Sequence, residues 1–447
     1  RHFVYTHGYG IAMVPVNAVQ PDGLPDLIVR DLPVVSEPGA PAIAEPRIYF
    51  GERAAPWVIV GARTDEFDYP ANDASGLDAT TRWTGSTGIR IGTPFSRLLF
   101  GLWTGDLVSF LTSPQIGADS QLLMRRTVEE RLDTLAPFLA WDRDPYLVVT
   151  PAGRLAWVVD GYTASDGFPL SRSFGSLAAS GIRNLPDARV SYLRNAVKAV
   201  IDAYDGTTRL YVNDPDDPLI ATWAAVYPSL FAPLAELPDG LDAHLRYPEG
   251  LFDVQTGIYE AYHVTDPTTF YQGDNLWTVP NGSQGQSQAL PGEAYYVQMR
   301  LPDEAATEYL LMQPMVPAKR PNMIAWIAAR NDGPDRGDVL VYRLPSDTTI
   351  FGPTQIEARI DQTPEISAQI TLWDQAGSNV IRGNLIVVPV GGSFVYLEPV
   401  YLQSTASAFP QFTKIIVATP SRVVWADTLA EALRLAVADG EIGRAHV

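Results

Sequence analysis

The fold is decided by residues 351–403, which read FGPTQIEARIDQTPEISAQITLWDQAGSNVIRGNLIVVPVGGSFVYLEPVYLQ. The first part predicts helix, because its apolar residues recur three or four positions apart: Ile356 and Ile360, then Ile366, Ile370 and Trp373. Thr363 followed by Pro364 predicts the start of a second helix, since threonine caps and proline tolerates the first helical position. Gly377 is a candidate helix stop.

The second part of this stretch changes to the pattern of a hairpin. Leu385–Val390 and Phe394–Leu402 are rich in β-branched and aromatic residues, and Gly391-Gly392 separates them. Two glycines between such runs are typical of a tight turn with positive φ. An amphipathic helical segment therefore precedes a strong hairpin, and each can cover the apolar face of the other.

Working outward, the composition predicts an α+β fold. The chain has 447 residues, which favours two or three domains. Its 46% hydrophobic and 19% charged residues indicate a folded chain, and 37 prolines and 35 glycines indicate many turns and short elements. We predict a β-rich mixture of hairpins and short amphipathic helices in two lobes. The alternative is an irregular, propeller-like all-β fold.

Charge and cysteine content exclude several function classes. The formal net charge of −19 repels phosphate backbones and disfavours binding to nucleic acid. The absence of cysteine excludes disulfides, thiolate metal sites and a cysteine nucleophile. No apolar run reaches the length of about 18 residues that a transmembrane helix needs. Because the chain starts at Arg1 without a methionine, we expect it to be part of a longer protein.

Shifts in composition suggest domain boundaries. We expect an extended N-terminal segment at residues 1–45, an N-terminal α+β lobe at 46–280 and a C-terminal α+β lobe at 293–440. The polar stretch 281–292, which includes NGSQGQSQALP, is the expected flexible linker between them. The tail 441–447, EIGRAHV, matches what a common sequencing adapter encodes, and we interpret it as an artefact.

Several helices are predicted outside the central stretch. Leucines at helical spacing predict a helix over residues 121–139, and a helix is also predicted for residues 323–330. A final helix is expected after an Asp427 cap, with Leu429, Leu433 and Val437 facing inward.

The densest acidic cluster is NDPDDP, with Asp214, Asp216 and Asp217. Carboxylate oxygens at such spacing are a candidate calcium site. However, the central glycine and distal glutamate of an EF-hand loop are missing. A turn followed by a helix that Asp217 caps and Pro218 begins explains the same residues without a metal.

The remaining chemical candidates have structural alternatives. His7 lies in YTHGYG, a pattern similar to the oxyanion loops of hydrolases, but no G-x-S-x-G motif exists and the glycines suit a turn. The five histidines show no zinc-site spacing, and His263 suits a helix C-terminus. Asp160 and Asp166, with Tyr162 and Phe168, are candidates for a sugar cleft.

Loop TGSTGIRIG from Thr84 lacks the lysine of a phosphate-binding loop. The sequence therefore assigns no catalytic residue and no cofactor.

Several blocks together resemble the uncharacterised protein family numbered 0182, multi-pass bacterial membrane proteins. These blocks span nearly the whole chain: YTHGYG at Tyr5, PDGLPD at Pro21, PRIYFGE at Pro46, DEFDYP at Asp65, RLLFGL at Arg97, APFLAWDRDPYLVV at Ala136, IDAYDG at Ile201, HLRYPEGLF at His244, YHVTDPTTFY at Tyr262, NMIAWIAAR at Asn322 and GPTQIEARIDQTPEISAQITLW at Gly352. The resemblance implies N-terminal transmembrane helices, absent here, followed by a large soluble region outside the cell membrane. It implies no catalytic residues.

The leading hypothesis is therefore a non-catalytic extracytoplasmic module that binds or organises components of the cell envelope. Its expected partners are the membrane, through the absent helices, and an envelope protein or glycan. An envelope hydrolase acting on a glycan or lipid-linked substrate, and an accessory domain of a transporter, are the alternatives. Whether the chain is an enzyme stays open.

Overall fold

The structure is a computed structural model that describes residues 2–70, 77–168, 170–174, 181–186, 189–282, 290–302, 304–345, 347–375, 377–390, 393–406 and 409–437. Helices and several small sheets alternate along the chain, so the predicted α+β class is confirmed. No helix among these residues is long and apolar enough to cross a membrane.

The chain divides into two compact units. Unit 1 comprises Arg1–Pro15 and Leu27–Leu245, and unit 2 comprises Val16–Asp26 and Arg246–Val447. The expected linker at 281–292 falls within the residues assigned to unit 2, and positions 283–289 lie outside the described residues. The lobe boundaries expected from the sequence stay a prediction.

The helices are short and most begin at a proline. Among the described residues, in chain order, the α-helices are α1 Pro94–Thr104, α2 Leu107–Thr112, α3 Val128–Leu135, α4 Pro218–Val226, α5 Glu249–Tyr262, α6 Pro267–Gln272, α7 Pro353–Asp361, α8 Pro364–Trp373 and α9 Leu429–Val437.

Unit 1 is organised around a seven-stranded sheet. Its strands follow the order Ile182–Arg183, Ala140–Asp142, Leu155–Ser165, Tyr192–Asp202, Thr208–Val212 and Phe231–Pro233, and Tyr146–Val149 also pairs with Leu155–Ser165. A three-stranded sheet contains Trp57–Val60, Gln121–Met124 and Ile89–Arg90. Three small ribbons pair Gly8–Tyr9 with Arg47–Ile48, Val29–Arg30 with Val35–Ser36, and Glu66–Tyr69 with Ala79–Thr81.

A hairpin turns at Asp205-Gly206, a residue pair that favours tight turns. Gly206 has φ +72°, which favours glycine. The Asp202 carboxylate accepts the backbone N–H groups of Tyr204 and Asp205, both at 2.9 Å, and stabilises the turn. The hairpin strands, with Leu155–Ser165, supply much of the apolar core of unit 1.

Unit 2 contains two five-stranded sheets. The first has the order Trp277–Thr278, Thr307–Pro317, Ala325–Arg330 and Val339–Arg343, with Tyr295–Arg300 added beside Thr307–Pro317. The second has the order Ser378–Arg382, Ser393–Ser404, Gln411–Ala418 and Val423–Ala426, with Ile386–Val390 beside Ser393–Ser404. Asn281–Gly282 pairs with Leu290–Pro291.

The central stretch folds largely as predicted. Ile356, Ile360 and Ile366 are buried in one core with residues of both five-stranded sheets. The hairpin strands pair antiparallel, while its turn at Gly391-Gly392 lies outside the described residues. The prediction that Gly377 ends the helix is wrong, because α8 ends at Trp373. Gly377 instead precedes an additional strand at Ser378–Arg382.

The single helix predicted over residues 121–139 is wrong. Gln121–Met124 is a strand whose two leucines are both buried, and a continuous apolar run of this kind does not distinguish strand from helix. Arg125 takes a left-handed conformation with φ +52°, which ends any helical path. Thr127 then caps α3 by accepting the N–H of Glu130 at 3.2 Å.

The helix predicted at 323–330 is also wrong. Ala325–Arg330 is a central strand with all six residues buried. Its alanines suggest helix by propensity, but a strand covered on both faces needs apolar residues at every position.

The final helix forms, but with another cap, and of the three residues predicted to face inward Leu433 alone packs against the sheet. Thr428 caps it by accepting the N–H of Glu431 at 3.3 Å. Ala432 and Ala436 are buried against the sheet, whereas Leu429 and Val437 are 41% and 39% exposed. Small alanine side chains let the helix approach the sheet closely. The tail 441–447 lies outside the described residues.

Candidate functional site

Two of the three aspartates of the calcium candidate have other partners. Asp217 is buried and caps α4 by accepting the N–H groups of Leu219 and Ile220, each at 3.2 Å. Asp214 pairs with Arg194, with 2.7 Å between Nε and Oδ2, and Asp216 is exposed. Among the described residues, no three histidine, aspartate or glutamate side chains cluster so as to hold a metal ion. The structure therefore gives the calcium prediction no support.

Asp217 also anchors neighbouring strands. It accepts the hydroxyl groups of Thr163, at 2.5 Å, and Tyr192. Its four hydrogen bonds use the acceptor capacity of both carboxylate oxygens, which explains a buried aspartate without a bound cation.

His7 lies in a buried polar network. Its Nδ1 is 3.0 Å from the carbonyl oxygen of Gly8, and its Nε2 is 3.9 Å from Asp68 Oδ1, too far for a hydrogen bond. Burial lowers the pKa of His7, so the ring is neutral near pH 7. Asp68 is held by two bonds from Arg47, at 2.9 and 2.7 Å, and is not free to orient a catalytic imidazole.

The neighbouring Glu66 is the centre of the same network. It accepts the Tyr49 hydroxyl at 2.8 Å, the Trp83 N–H at 2.9 Å and the Thr6 hydroxyl. Burial lowers the pKa of the nearby Arg126 to about 10, and this guanidinium donates to the carbonyl oxygen of Tyr49 at 2.8 Å. These bonds join segments distant in sequence, which is typical of a structural network.

The predicted sugar-cleft aspartates also have cationic partners. Asp160 is buried and accepts hydrogen bonds from Lys198 and from Asn195, the latter at 2.8 Å. Asp166 is exposed and lies 4.0 Å from Arg189. Neither arrangement offers a free acid and base facing a substrate, so the geometry gives the glycoside hypothesis no support.

A cleft in unit 2 has the properties expected of a binding site. It has a volume of about 640 Å³ and is lined by His263, Asp266, Trp277, Arg320 and Arg343, with apolar residues such as Met323. We call it the Trp277 cleft. Its volume lies within the range of small-molecule sites.

Local sequence rules position the first wall of the cleft. His263 is the C-cap of α5, as predicted, and Asp266 caps α6 by accepting the Thr269 N–H at 2.8 Å. That N–H and the Thr269 hydroxyl hold the pKa of Asp266 below its usual value. The carboxylate is therefore charged, but its hydrogen bonds serve the helix end.

Three side chains form a stack beside this wall. The rings of His263 and Trp277 are parallel within 21°, with centroids 3.9 Å apart, and the Arg343 guanidinium carbon lies 5.6 Å from the Trp277 centroid. Arg343 also donates to the backbone carbonyl of His263 at 3.2 Å. These contacts fix the guanidinium at the cleft wall.

Both ring nitrogens of His263 face carbonyl oxygens. Nδ1 is 3.0 Å from the Tyr259 oxygen, and Nε2 is 2.9 Å from the Asn275 oxygen. These two contacts fix the orientation of the ring at the cleft wall.

The cleft is locally positive in a strongly acidic chain. Within the described part of the chain, neither Arg320 nor Arg343 has an ion-pair partner, although many other arginines pair with carboxylates. Two guanidinium groups line the cleft, and neither is neutralised by a carboxylate of the described chain. They therefore favour an anionic ligand.

Sequence reasoning found only part of this site. It identified His263 as a helix end, but it did not single out Trp277, Arg320 or Arg343. Trp277 and Arg343 lie at a strand start and a strand end, and Arg320 lies in a connection between strands. No local motif links these segments; only the sheet order brings them together.

Comparison with known proteins identifies one family. A family model described as "Uncharacterised protein family (UPF0182)" matches residues 1–373. A UPF0182 protein of Sulfurovum sp. (strain NBC37-1) is 42% identical over 435 residues, which cover 97% of this chain and 46% of that protein.

Two further relatives give similar values. A UPF0182 protein of Moorella thermoacetica is 44% identical over 432 residues, covering 96% of this chain and 46% of its own. A UPF0182 protein of Methanospirillum hungatei is 42% identical over 439 residues, which cover 97% of this chain and 47% of that protein. The chain thus spans less than half the length of these relatives. No solved structure is significantly similar.

Proposed function

The chain belongs to the uncharacterised protein family UPF0182, and from that membership we propose that it forms the extracytoplasmic region of a multi-pass membrane protein of the cell envelope. It acts there as a non-catalytic module that binds an anionic envelope glycan. The binding proposal rests on the Trp277 cleft, because two arginines without ion-pair partners among the described residues line it and one of them, Arg343, is held over the Trp277 ring.

The chemistry of the cleft defines the class of ligand. Guanidinium groups recognise carboxylates and phosphates through paired N–H donors. Thr348, Thr349 and Asn322 also line the cleft and can bond sugar hydroxyls. A glycan that carries phosphate or carboxylate groups satisfies both features. Non-catalytic binding is preferred over hydrolysis because the candidate acids outside this cleft are already hydrogen-bonded.

Titration calorimetry of the 447-residue chain tests the ligand class. A glycerol phosphate oligomer and a galacturonate oligomer distinguish phosphate from carboxylate, and a neutral maltose oligomer is the control. We expect binding of at least one anionic oligomer and none of the neutral one. Affinity should fall with added salt, because the attraction between charges is screened.

Substitution of Arg320 tests the site itself. Arg320→Gln should weaken anion binding about ten-fold or more, because a charge-assisted hydrogen bond contributes about 1.5–3 kcal/mol. Arg300→Gln removes an exposed guanidinium of the same unit outside the cleft and is the matched control. Equal affinities of the two variants, or no binding by the parent chain, would reject the anion site.

The proposed location is supported by the length of the relatives, which leaves more than half of each protein for other segments. A reporter fusion tests it. Alkaline phosphatase joined behind the matching region of the full-length Sulfurovum relative should be active in whole cells, because this enzyme matures only outside the cytoplasm. Activity restricted to a cytoplasmic reporter at the same position would contradict the location.

A further inference from the structure

The helices α1 (Pro94–Thr104) and α2 (Leu107–Thr112) present large apolar side chains to solvent. On α1 these follow a spacing of three, one, three and one, which places them on one helical face. The exposed fractions are 74% for Phe95, 42% for Leu98, 51% for Leu99, 63% for Leu102, 50% for Trp103, and, on α2, 73% for Val108 and 45% for Leu111. We call these seven side chains the hairpin face.

The other side of the pair α1 and α2 packs against the protein, so the hairpin face is exposed to solvent. Phe110 is fully buried in a cluster with Trp57, Ile59 and Ile91. At Gly101 the two helices touch, since a Cβ there would lie 3.0 Å from the Leu107 Cα atom. An apolar stripe at helical spacing ordinarily packs against a core. Here the stripe is exposed to solvent, and a different side of the helix packs against the core.

The hairpin face has little polar chemistry to offer a protein partner. Arg97 and Asp106 are the only charged residues between 94 and 112. Arg97 donates to the carbonyl oxygen of Ile116 at 2.7 Å, and Asp106 caps α2 by accepting the Ser109 N–H at 3.2 Å. Both charged groups are therefore used within the fold.

Three hydroxyl groups beside the face also bond to backbone carbonyl groups of the same segment. Thr104 and Thr112 each donate to the carbonyl oxygen four residues earlier in their helix, both at 2.8 Å. Ser96 donates to the carbonyl oxygen of Thr93 at 2.9 Å. Internal bonding of hydroxyl groups is what a helix needs in hydrocarbon, where water cannot bond them.

We propose that the hairpin face inserts into the surface of a lipid bilayer, as a contact separate from the Trp277 cleft and from any transmembrane anchor. With eleven residues, α1 extends about 16 Å, about half the hydrocarbon thickness, so it lies in the interfacial layer. Trp103 and Phe95 suit that layer. The chain's charge of −19 makes zwitterionic lipid the preferred surface over anionic lipid.

A cysteine label tests the proposal directly, because the chain contains no natural cysteine. Leu102→Cys carries an environment-sensitive fluorophore, and phosphatidylcholine vesicles are added to the 447-residue chain. We expect a blue shift and increased intensity. The same label at Leu372→Cys, an exposed position on α8 in unit 2, should not respond. No response at position 102, or equal responses at both positions, would overturn the proposal.

Vesicle flotation with substituted chains tests the energetics. Leu99→Glu/Leu102→Glu should lower the vesicle partition coefficient about 100-fold, because burial of one leucine side chain contributes about ten-fold to it. The matched control Tyr271→Glu/Leu372→Glu changes two exposed apolar residues elsewhere and should bind vesicles as the parent chain does. Both pairs are exposed, so folding should be retained, which circular dichroism checks.

Light scattering without lipid tests the competing hypothesis, in which a second copy of the chain covers the hairpin face. A second copy seated on the hairpin face would give a dimer that the Leu99→Glu/Leu102→Glu variant abolishes. That result without vesicle binding would overturn the bilayer proposal, whereas a monomer that floats with vesicles supports it.

Discussion

At Asp142, burial and hydrogen bonding act on one carboxyl group in opposite directions. The residue is buried, and it accepts the Tyr162 hydroxyl at 2.6 Å and the Asp144 N–H at 3.0 Å. Burial raises its pKa to about 6, and these bonds offset part of the rise. The group is thus mostly ionised at pH 7, at a cost in free energy.

This pKa predicts how stability depends on pH. Between pH 3.8 and about 6 the folded chain retains a proton at Asp142 that the unfolded chain has released. The free energy of unfolding therefore falls as pH rises through this window, by about 3 kcal/mol from this group, and stays reduced above it. Below pH 3.8 the group is neutral in both states and the cost is absent.

Urea unfolding of Asp142→Asn measures this contribution. The difference in unfolding free energy between parent and variant should change by about 2.4 kcal/mol between pH 4 and pH 7, in favour of the variant at pH 7. Comparing the two proteins cancels the titration of the other acids. Tyr162→Phe is the control, since loss of its bond should move the window to higher pH. Parallel pH profiles of parent and Asp142→Asn would contradict the assignment.

At the scale of the element, local signals predict structure where sequence period and capping agree. Thr363-Pro364, Asp217-Pro218 and Asp205-Gly206 each mark an element boundary, and all three boundaries form. The Thr363 hydroxyl does not cap α8, however, and donates instead to the Arg359 carbonyl oxygen at 2.9 Å. The failures occur at Gln121–Met124 and Ala325–Arg330, whose consecutive buried apolar residues fit either period. There the sheet partners decide, and these are distant in sequence.

The start of α7 depends on a close backbone approach that its sequence does not reveal. Gly352 is its N-cap residue, and a Cβ built there would lie 1.9 Å from the carbonyl oxygen of Pro321. Gly352→Ala should therefore force the two segments apart and lower the free energy of unfolding by about 2–3 kcal/mol. Urea unfolding followed by circular dichroism measures the change.

Gly8→Ala is the matched control for this substitution. Gly8 also has a conformation open to other residues, and its added Cβ would meet nothing nearer than 3.9 Å. Its unfolding free energy should stay within about 0.5 kcal/mol of the parent value. Equal destabilisation by both substitutions would show that the contact with Pro321 is not responsible.

For the whole molecule, the order of residues along the chain is a poor guide to its compact units. Unit 2 includes Val16–Asp26, although most of its residues follow Arg246. The Trp277 cleft has the same character, because its arginines come from separate parts of unit 2. Composition and period could predict the α+β class, but a site assembled from distant segments requires the tertiary fold.

Within unit 2, Val16–Asp26 contacts a later part of the chain at Gly23, so a substitution of Gly23 should disturb this contact. Its carbonyl oxygen accepts the Phe412 N–H at 2.9 Å, and a Cβ at Gly23 would lie 2.1 Å from the Phe412 carbonyl oxygen. Gly23→Ala should therefore displace this segment. Hydrogen exchange at the Phe412 amide should become about ten-fold faster or more, because its acceptor is lost.

Gly39→Ala separates this contact from backbone strain. Gly39 and Gly23 have similar left-handed φ values, +93° and +82°, but a Cβ at Gly39 meets nothing within 4 Å. Both substitutions carry the strain of a left-handed alanine, so both lower stability by about 1–2 kcal/mol. Only Gly23→Ala should accelerate exchange at Phe412. Equal exchange in the two variants would mean that Val16–Asp26 is not held to unit 2 through this contact.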